Sequence, residues 1–448
     1  MSITPSDLMV SVSGIRGIVG QSLTPDQTAL FAAGLGTFLG GGRVVVSRDS
    51  RPSGNMLRHA VISGLLATGC SVEDIGIAPT PTVGVAVRHL GASGAIQITA
   101  SHNPAPWNGL KMFGPDGAVL SAEKGKRVQD IFEQNTFKWG TWNQIGRVGA
   151  PPGVEEEHLR LVTDAVSVSA IASAGLRVFI DGNGGAGGPL ASQLLHSLGC
   201  EVIEYACSAD GEFVHEAEPI PAHLVDVGPL VASSESQVGF VLDPDADRLA
   251  LIDEQGNCIS EELTLALAVQ YRLQQQRGPV VINMSTSRVI EDLCQQYHSE
   301  CLRSAVGEAN VVASMMRVKA VIGGVGNGGV IDPRIGWVRD PFIGMALILS
   351  LLAETRQPLS ELVKALPEYT MLKTKFAVSR EKLPAAMLVL ERKWPEAKVN
   401  RLDGLRLDWP DRWLHIRPSN TEPVVRIIAE SRTPQDSEAL CSQAAECL

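Results

Sequence analysis

The sequence predicts an α/β fold of three related domains followed by a smaller α+β domain, and three observations carry that prediction. First, one pattern recurs three times, beginning at Arg43-Val44-Val45-Val46, Arg177-Val178-Phe179-Ile180 and Pro279-Val280-Val281-Ile282. Each apolar run is followed by a loop of small residues, a helical stretch and a second apolar run, which is the βαβ unit of a parallel sheet. Second, the copies are irregularly spaced and about a hundred residues or more apart, which indicates duplicated domains and not a solenoid. Third, the last part of the chain changes character. It holds Trp394, Trp409 and Trp413, then the strand-like Val424-Val425-Arg426-Ile427-Ile428 and a terminal helix.

The elements follow in order. Residues 23–39 read as an apolar helix opening at Thr24-Pro25-Asp26, a helix-start signal. In the first copy the loop is Ser50-Arg51-Pro52-Ser53-Gly54, the helix spans 55–67, and Gly69-Cys70-Ser71-Val72 leads into the next strand. Gly94-Ala95-Ile96-Gln97 is a further buried strand. The second copy runs through a glycine-rich loop and a helix at 190–198 to Gly199-Cys200-Glu201-Val202. The third passes Ser285-Thr286-Ser287 and a helix ending near Tyr297 to Ser299-Glu300-Cys301-Leu302. Residues 342–353 are an apolar run too short to span a bilayer and read as a core helix. Structure breakers at Gly149-Ala150-Pro151-Pro152-Gly153, the strand-turn Leu251 to Gly256 and Pro367-Glu368 set domain boundaries at 1–150, 151–255, 256–366 and 367–448.

The 448 residues are 44% hydrophobic, ordinary for a globular protein with several cores. A net charge of −11 argues against nucleic acid or an anionic membrane as the main partner, while leaving room for a local basic pocket. The eight cysteines are scattered without a CxxC pair, so neither a zinc site nor a disulfide framework is indicated. The first ten residues lack the pattern of a signal peptide. A cytoplasmic protein is expected.

Three stretches carry chemistry. Thr99-Ala100-Ser101-His102-Asn103-Pro104 ends a buried strand in a rigid loop that presents a serine at a sheet edge. The same residue types make ordinary turns, so a reactive serine and a capped turn both stay open. Asp243-Pro244-Asp245-Ala246-Asp247-Arg248 follows the strand Val238 to Leu242. In extended chain alternate residues face one way, so the three carboxylates can converge on a hard cation such as Mg²⁺, with Arg248 beside it for an anionic substrate. Arg417-Pro418-Ser419-Asn420-Thr421-Glu422-Pro423, with Arg426, combines guanidiniums and hydroxyls suited to a phosphate, or forms a solvated turn. Two weaker features accompany them. Arg16 lies between glycines that free the backbone to turn, and Asn108-Gly109 reads as a hairpin turn that folds Lys111 back towards Ser101. Gly182-Asn183-Gly184-Gly185-Ala186-Gly187, with Glu204 further on, matches a dinucleotide fingerprint, but the repeat already explains its glycines as a strand-to-helix turn.

Together these residues resemble the α-D-phosphohexomutase family. Ser13-Gly14-Ile15-Arg16-Gly17, Ser47 to Gly54, Pro79-Thr80-Pro81, Thr99 to Pro104, Asn108-Gly109-Leu110-Lys111, Asp243 to Arg248 and Arg417 to Pro423 fall in family order over nearly the whole chain. The resemblance implies four domains around a central cleft, three of them mixed-sheet α/β folds. It implies a phosphate-bearing Ser101, and Mg²⁺ held by Asp243, Asp245, Asp247 and an oxygen of phospho-Ser101. Arg16, His102 and Lys111 would line the transfer site. Arg417, Ser419, Asn420, Thr421 and Arg426 would grip the phosphate that is not transferred. The substrate would be a hexose phosphate, with a sugar 1,6-bisphosphate as primer, and a homodimer stays open. In the sugar-recognition loop Gly323-Gly324-Val325-Gly326-Asn327-Gly328-Gly329-Val330, Gly324, Val325 and Asn327 would face the sugar. The loop follows the form associated with glucosamine phosphates, except that Val325 stands where that form has glutamate, and valine accepts no hydrogen bond.

Overall fold

The computed structural model describes residues 8–11, 14–376, 383–418 and 424–447. Among these residues the strands form four sheets, and the three repeats share one topology. In the first, Gly42–Arg48 lies parallel to Cys70–Ile77 and Gly94–Ile98. In the second, Arg177–Asp181 lies parallel to Glu201–Tyr205 and Val238–Leu242. In the third, Val280–Asn283 lies parallel to Cys301–Ser304 and Ile322–Val325. Each time the third strand then turns back into an antiparallel partner: Trp107–Phe113, Leu249–Asp253 and Gly329–Ile331. The antiparallel partners make the sheets mixed. The connection at that turn is the equivalent place in all three domains, and it holds Ser101, the three aspartates and Asn327 respectively.

The C-terminal sheet is antiparallel throughout, in the order Thr370–Phe376, Val425–Ser431, Trp413–Pro418, Leu405–Asp408, Lys398–Asn400. The helix Pro434–Ala445 packs on its first two strands. The apolar run predicted as a core helix is Pro341–Thr355, buried on every side except near its end, as a helix without a polar face must be. Its start is fixed by Asp340, whose carboxylate accepts the Phe342 N–H at 2.8 Å. The other Asp340 oxygen lies 2.9 Å from His158 Nε2, and His158 Nδ1 lies 2.9 Å from Thr82 Oγ1. This fully buried chain of polar contacts ties the helix Thr80–His89 of the first domain to the second and third.

Two local expectations are corrected. Asn108-Gly109 is not a turn. Both residues lie inside Trp107–Phe113, a strand paired on one side with Gly14–Ile18 and on the other with Gly94–Ile98. Glycine is needed there for close approach: a Cβ at 109 would sit 2.3 Å from the Ile15 carbonyl oxygen. Pairing on both edges outweighs the local turn preference. Arg16 likewise lies on a paired strand, opposite Met9 and Gly109, so its reach comes from strand geometry and not from a flexible turn.

The third and fourth domains meet through buried polar contacts. His415 Nε2 donates to the Asp403 carbonyl at 2.7 Å and its Nδ1 accepts from Ser285 Oγ at 3.0 Å. The Arg288 N–H donates to Glu430 at 2.9 Å. Burial pushes the His415 imidazole from its ordinary 6.5 down to about 4. The unfolded chain therefore takes up a proton below 6.5 that the folded chain refuses until about 4. This contribution is complete above pH 6.5 and is lost as pH falls towards 4, on the order of 3 kcal/mol in all. As pH is lowered across that window, unfolding temperature is expected to drop more steeply in the wild type than in His415→Asn.

Candidate active site

Ser101 is held in a conformation that its own preferences disfavour. Its φ of 51° is left-handed, which costs a non-glycine residue roughly 1–2 kcal/mol. The stabilising partner is Arg51, a fully buried side chain that reaches under the loop. Its Nη2 donates to the carbonyls of Ser101 and Asn103, both at 2.7 Å, and its Nη1 to that of Pro104 at 3.0 Å. Asp49 holds Arg51 Nε at 3.0 Å and accepts from Thr99 Oγ1 at 2.7 Å, while Thr99 Oγ1 accepts the Ser101 N–H at 2.8 Å. The phenyl ring of Phe213, from the second domain, packs against the Arg51 guanidinium at 5.0 Å. The serine hydroxyl so placed lies 3.2 Å from Asp243 Oδ2.

The three aspartates converge, but not by alternation along extended chain. Residues 243–248 form a tight turn in which Asp243 Oδ1 accepts the N–H groups of Asp247 and Arg248 at 2.9 and 3.0 Å, and Ala246 takes a left-handed φ of 48°. One oxygen of each carboxylate falls within 4.8 Å of the others, and all three side chains are buried. The glycine-rich loop at 182–187 exists to meet this turn: Ala186 N–H donates to the Pro244 carbonyl at 2.8 Å, and a Cβ at Gly185 would lie 2.9 Å from Pro244 Cα. Close protein packing, and not a pyrophosphate, accounts for those glycines. Thr80, at the start of its helix, donates its hydroxyl to Asp245 Oδ2 at 2.7 Å and its N–H to the Asp245 carbonyl at 2.8 Å.

Lys111 bridges two of the carboxylates, 3.0 Å from Asp245 and 2.7 Å from Asp247. Burial alone would lower the Lys111 ammonium, but Asp245 and Asp247 outweigh it and push it up to about 12. Arg339 pairs with Asp247 and, at 3.0 Å, with Glu308. Burial and repulsion from Asp247 and Asp245 push the Asp243 carboxyl well above its usual range. Against burial, Lys111 and Thr80 hold Asp245 below it. Asp245 Oδ1 and Asp247 Oδ1 are buried with no hydrogen-bond partner among the described residues. Orphaned hard oxygens beside a carboxylate that resists ionisation fit a divalent cation of the Mg²⁺ type.

Beside this centre lies a cavity of about 580 Å³. Arg16, His102, Arg248, Asn327 and Arg426 line it. Arg16 Nη1 donates to Asn103 Oδ1 at 3.2 Å. Arg248 donates to His102 Nδ1 at 2.7 Å and to Glu218 Oε1 at 2.6 Å. Burial and Arg248 push His102 down to about 3, so the imidazole is neutral. Arg417 is bound to Asp403 at 3.1 Å and is the cross-strand neighbour of Arg426, but it does not line the cavity. Nor do Gly324 and Val325; Val325 is buried beside Val281, Met315 and Ile331. Ser419, Asn420 and Thr421 lie outside the described residues. Sequence reasoning gave no role to Arg51, Asp49 or Thr80, although all three stand in its motifs. It had no signal at all for Glu218 and Arg339, which distant segments bring in.

Four family models match the chain in order. They describe phosphoglucomutase/phosphomannomutase α/β/α domain I at residues 8–139, domain II at 156–256, domain III at 261–369 and the C-terminal domain at 374–446. The chain belongs to this family. A protein of Methanopyrus kandleri named "Probable phosphoglucosamine mutase" is 35% identical over 433 residues, covering 96% of this chain and 95% of the relative. A Thermococcus kodakarensis protein named phosphoglucomutase/phosphomannomutase is 34% identical over 430 residues, with 94% of each covered. The crystal structure of a phosphoglucomutase/phosphomannomutase family protein from Burkholderia thailandensis superposes with a TM-score of 0.87 at 26% identity, covering 98% of this chain and 96% of that one. The fold extends to the Aspergillus fumigatus N-acetylphosphoglucosamine mutase, solved with GlcNAc-6P and magnesium, at a TM-score of 0.57 and 14% identity, with 94% of this chain and 96% of that one covered. The family member described here is a mutase, an isomerase of the phosphohexomutase kind. Among the described residues no helix is long and apolar enough to cross a membrane.

Proposed function

We propose that this mutase moves phosphate between O6 and O1 of a hexose through phospho-Ser101 and a sugar bisphosphate, with glucosamine 6-phosphate as its substrate. The observation that carries the reading is the 3.2 Å contact between Ser101 Oγ and Asp243, which sets the hydroxyl against the three-carboxylate cluster. Asp243, Asp245 and Asp247 would hold Mg²⁺, which supplies positive charge to the oxygens of a transferring phosphoryl group. Lys111, bonded to two of those carboxylates, adds a fixed ammonium at the same point. A hydroxyl of the sugar monophosphate attacks the phosphorus of phospho-Ser101; the bond to Ser101 Oγ breaks, and the proton the sugar hydroxyl gives up is balanced by one gained at the serine oxygen. The bisphosphate turns around in the cavity, and its other phosphate returns to Ser101. Arg16, His102 and Arg248 face the sugar phosphate from one wall. Arg426, which lines the cavity, would grip the phosphate that is not moving, with Ser419, Asn420 and Thr421 beside it in sequence as the family resemblance implies and Arg417 as its cross-strand neighbour. A trace of sugar 1,6-bisphosphate primes the serine.

The run Gly326-Asn327-Gly328-Gly329 and the names of the relatives support the amino sugar. Val325, apolar and buried, and the Thermococcus relative named for glucose and mannose phosphates favour a neutral hexose as the second reading. Phosphorus NMR of the protein with Mg²⁺, a trace of bisphosphate and, separately, glucosamine 6-phosphate, glucose 1-phosphate and mannose 1-phosphate decides between them. Conversion of the amino sugar first is expected. Conversion of a neutral hexose alone selects the second reading; phosphorylation of Ser101 without any conversion shows that transfer works and that the sugar is another one, and binding with neither phosphorylation nor conversion makes the chain a phosphosugar-binding paralogue.

A further inference from the structure

The cavity is rich in cations, so the groups able to accept hydrogen bonds from a sugar ring are few. Glu218 is engaged by Arg248 at 2.6 Å, and Asn103 accepts from Arg16 at 3.2 Å. Two further acceptors, Glu261 and Asn327, belong to the third domain. Glu261 lines the cavity and uses one carboxylate oxygen, Oε1, to bind Lys373 Nζ at 3.0 Å; its Oε2 has no hydrogen bond among the described residues. Asn327 lines it too, and its Oδ1 is buried with no partner among the described residues. Close by, Arg248, only 7% exposed and followed by Leu249, whose N–H donates to the Gly328 carbonyl at 3.1 Å, carries an Nε that is likewise buried and unpartnered. Unsatisfied donors and acceptors grouped at one cavity are what a polar ligand can complete.

Glu261 is fixed in place through both its backbone and its side chain. Its carbonyl accepts the Gly328 N–H at 3.1 Å, so the first turn of the helix Glu261–Gln275 is joined to the loop that carries Asn327. Lys373, from the fourth domain, bridges it to Glu262, 3.0 Å from each carboxylate. Glu262 itself is buried, accepts the Ser287 N–H at 2.9 Å and fills the space beside Gly326, where a Cβ would lie 1.8 Å from its Oε2. The loop needs glycine at 326 because the adjoining helix places a carboxylate there. Val325 turns into the apolar cluster, so this wall takes its negative charge from the helix and not from the loop.

We propose that Glu261, paired with Asn327, is the residue that reads the ring substituents of the sugar phosphate, and that its charge favours a ring bearing an ammonium group over one bearing only hydroxyls. The inference rests on the hexose-phosphate reading of the cavity. A carboxylate pairs with an ammonium donor by a charge-assisted bond and with a hydroxyl by a weaker one, whereas a glutamine treats the two more nearly alike. The test measures calorimetric Kd for glucosamine 6-phosphate and glucose 6-phosphate, beside turnover of each, in the wild type, Glu261→Gln, Glu261→Ala and Lys373→Met. Glu261→Gln is expected to cut the preference for the amino sugar, read as the ratio of the two Kd values, about tenfold, and Glu261→Ala to weaken both ligands. Lys373→Met removes the cation that partly offsets the Glu261 charge and is expected to keep or raise the preference for the amino sugar. A ratio unchanged in both Glu261 variants overturns the inference, as does a Lys373→Met variant that reproduces the Glu261→Gln change. Binding without turnover contradicts the mutase reading alone, because the Kd ratio still decides the role of Glu261. Binding of neither sugar phosphate overturns both.

Discussion

Ser101→Ala is expected to lower mutase activity by at least about a thousandfold while leaving the fold and sugar-phosphate binding in place. The loss is large because, on the proposed mechanism, the serine oxygen carries the phosphate given up in the first transfer and receives the one returned in the second. The fold is spared because the loop does not depend on that hydroxyl. Arg51, Asp49 and Thr99 hold the backbone through carbonyl and N–H groups that alanine keeps. The side chain contributes one 3.2 Å contact to Asp243. Unfolding temperature within a few degrees of wild type, with activity gone, is the expected pair of results; retained activity removes Ser101 from the mechanism.

Asp245→Ala is the second large effect, expected to cost activity on the order of a thousandfold and to abolish Mg²⁺ binding. The same carboxylate serves three purposes: it offers an orphaned oxygen to the cation, pairs with Lys111 and accepts from Thr80. Removing it leaves a buried lysine with one partner, which destabilises by roughly 3–5 kcal/mol. Asp245→Asn keeps an acceptor for Thr80 and separates the two effects. Calorimetry with Mg²⁺ alone gives a readout independent of turnover. Wild type is expected to bind and to gain thermal stability from the metal; Asp245→Asn is expected to do neither at the same concentration. Equal Mg²⁺ affinity in the two proteins places the cation elsewhere.

What could be read in the sequence was what a local pattern specifies. Strand, small-residue loop and helix repeat three times because each domain must bury one sheet face under its helices, and that requirement shows in periodicity. Ser101 and the three aspartates were legible because each follows an apolar run ended by turn residues, which is where a parallel strand delivers its side chains to a ligand. The route from pattern to geometry was less secure. The aspartates meet through a tight turn with a left-handed Ala246, not through strand alternation. Asn108-Gly109 has the composition of a turn but lies between two other strands, and pairing on both edges decides its conformation. Arg339, Glu218 and Lys373 reach the site across domain boundaries. Their positions depend on how the domains pack, and no spacing in the chain encodes that.

Ser101 as the carrier of phosphate is tested most directly by following that phosphate. The protein is incubated with Mg²⁺ and a hexose 1,6-bisphosphate labelled in its phosphates, then digested and mapped by mass spectrometry. The label is predicted on Ser101, at about one per chain, and is predicted to leave again when unlabelled sugar monophosphate is added. Turnover of the sugar with Ser101 unlabelled, or with the label on another residue, would contradict the account.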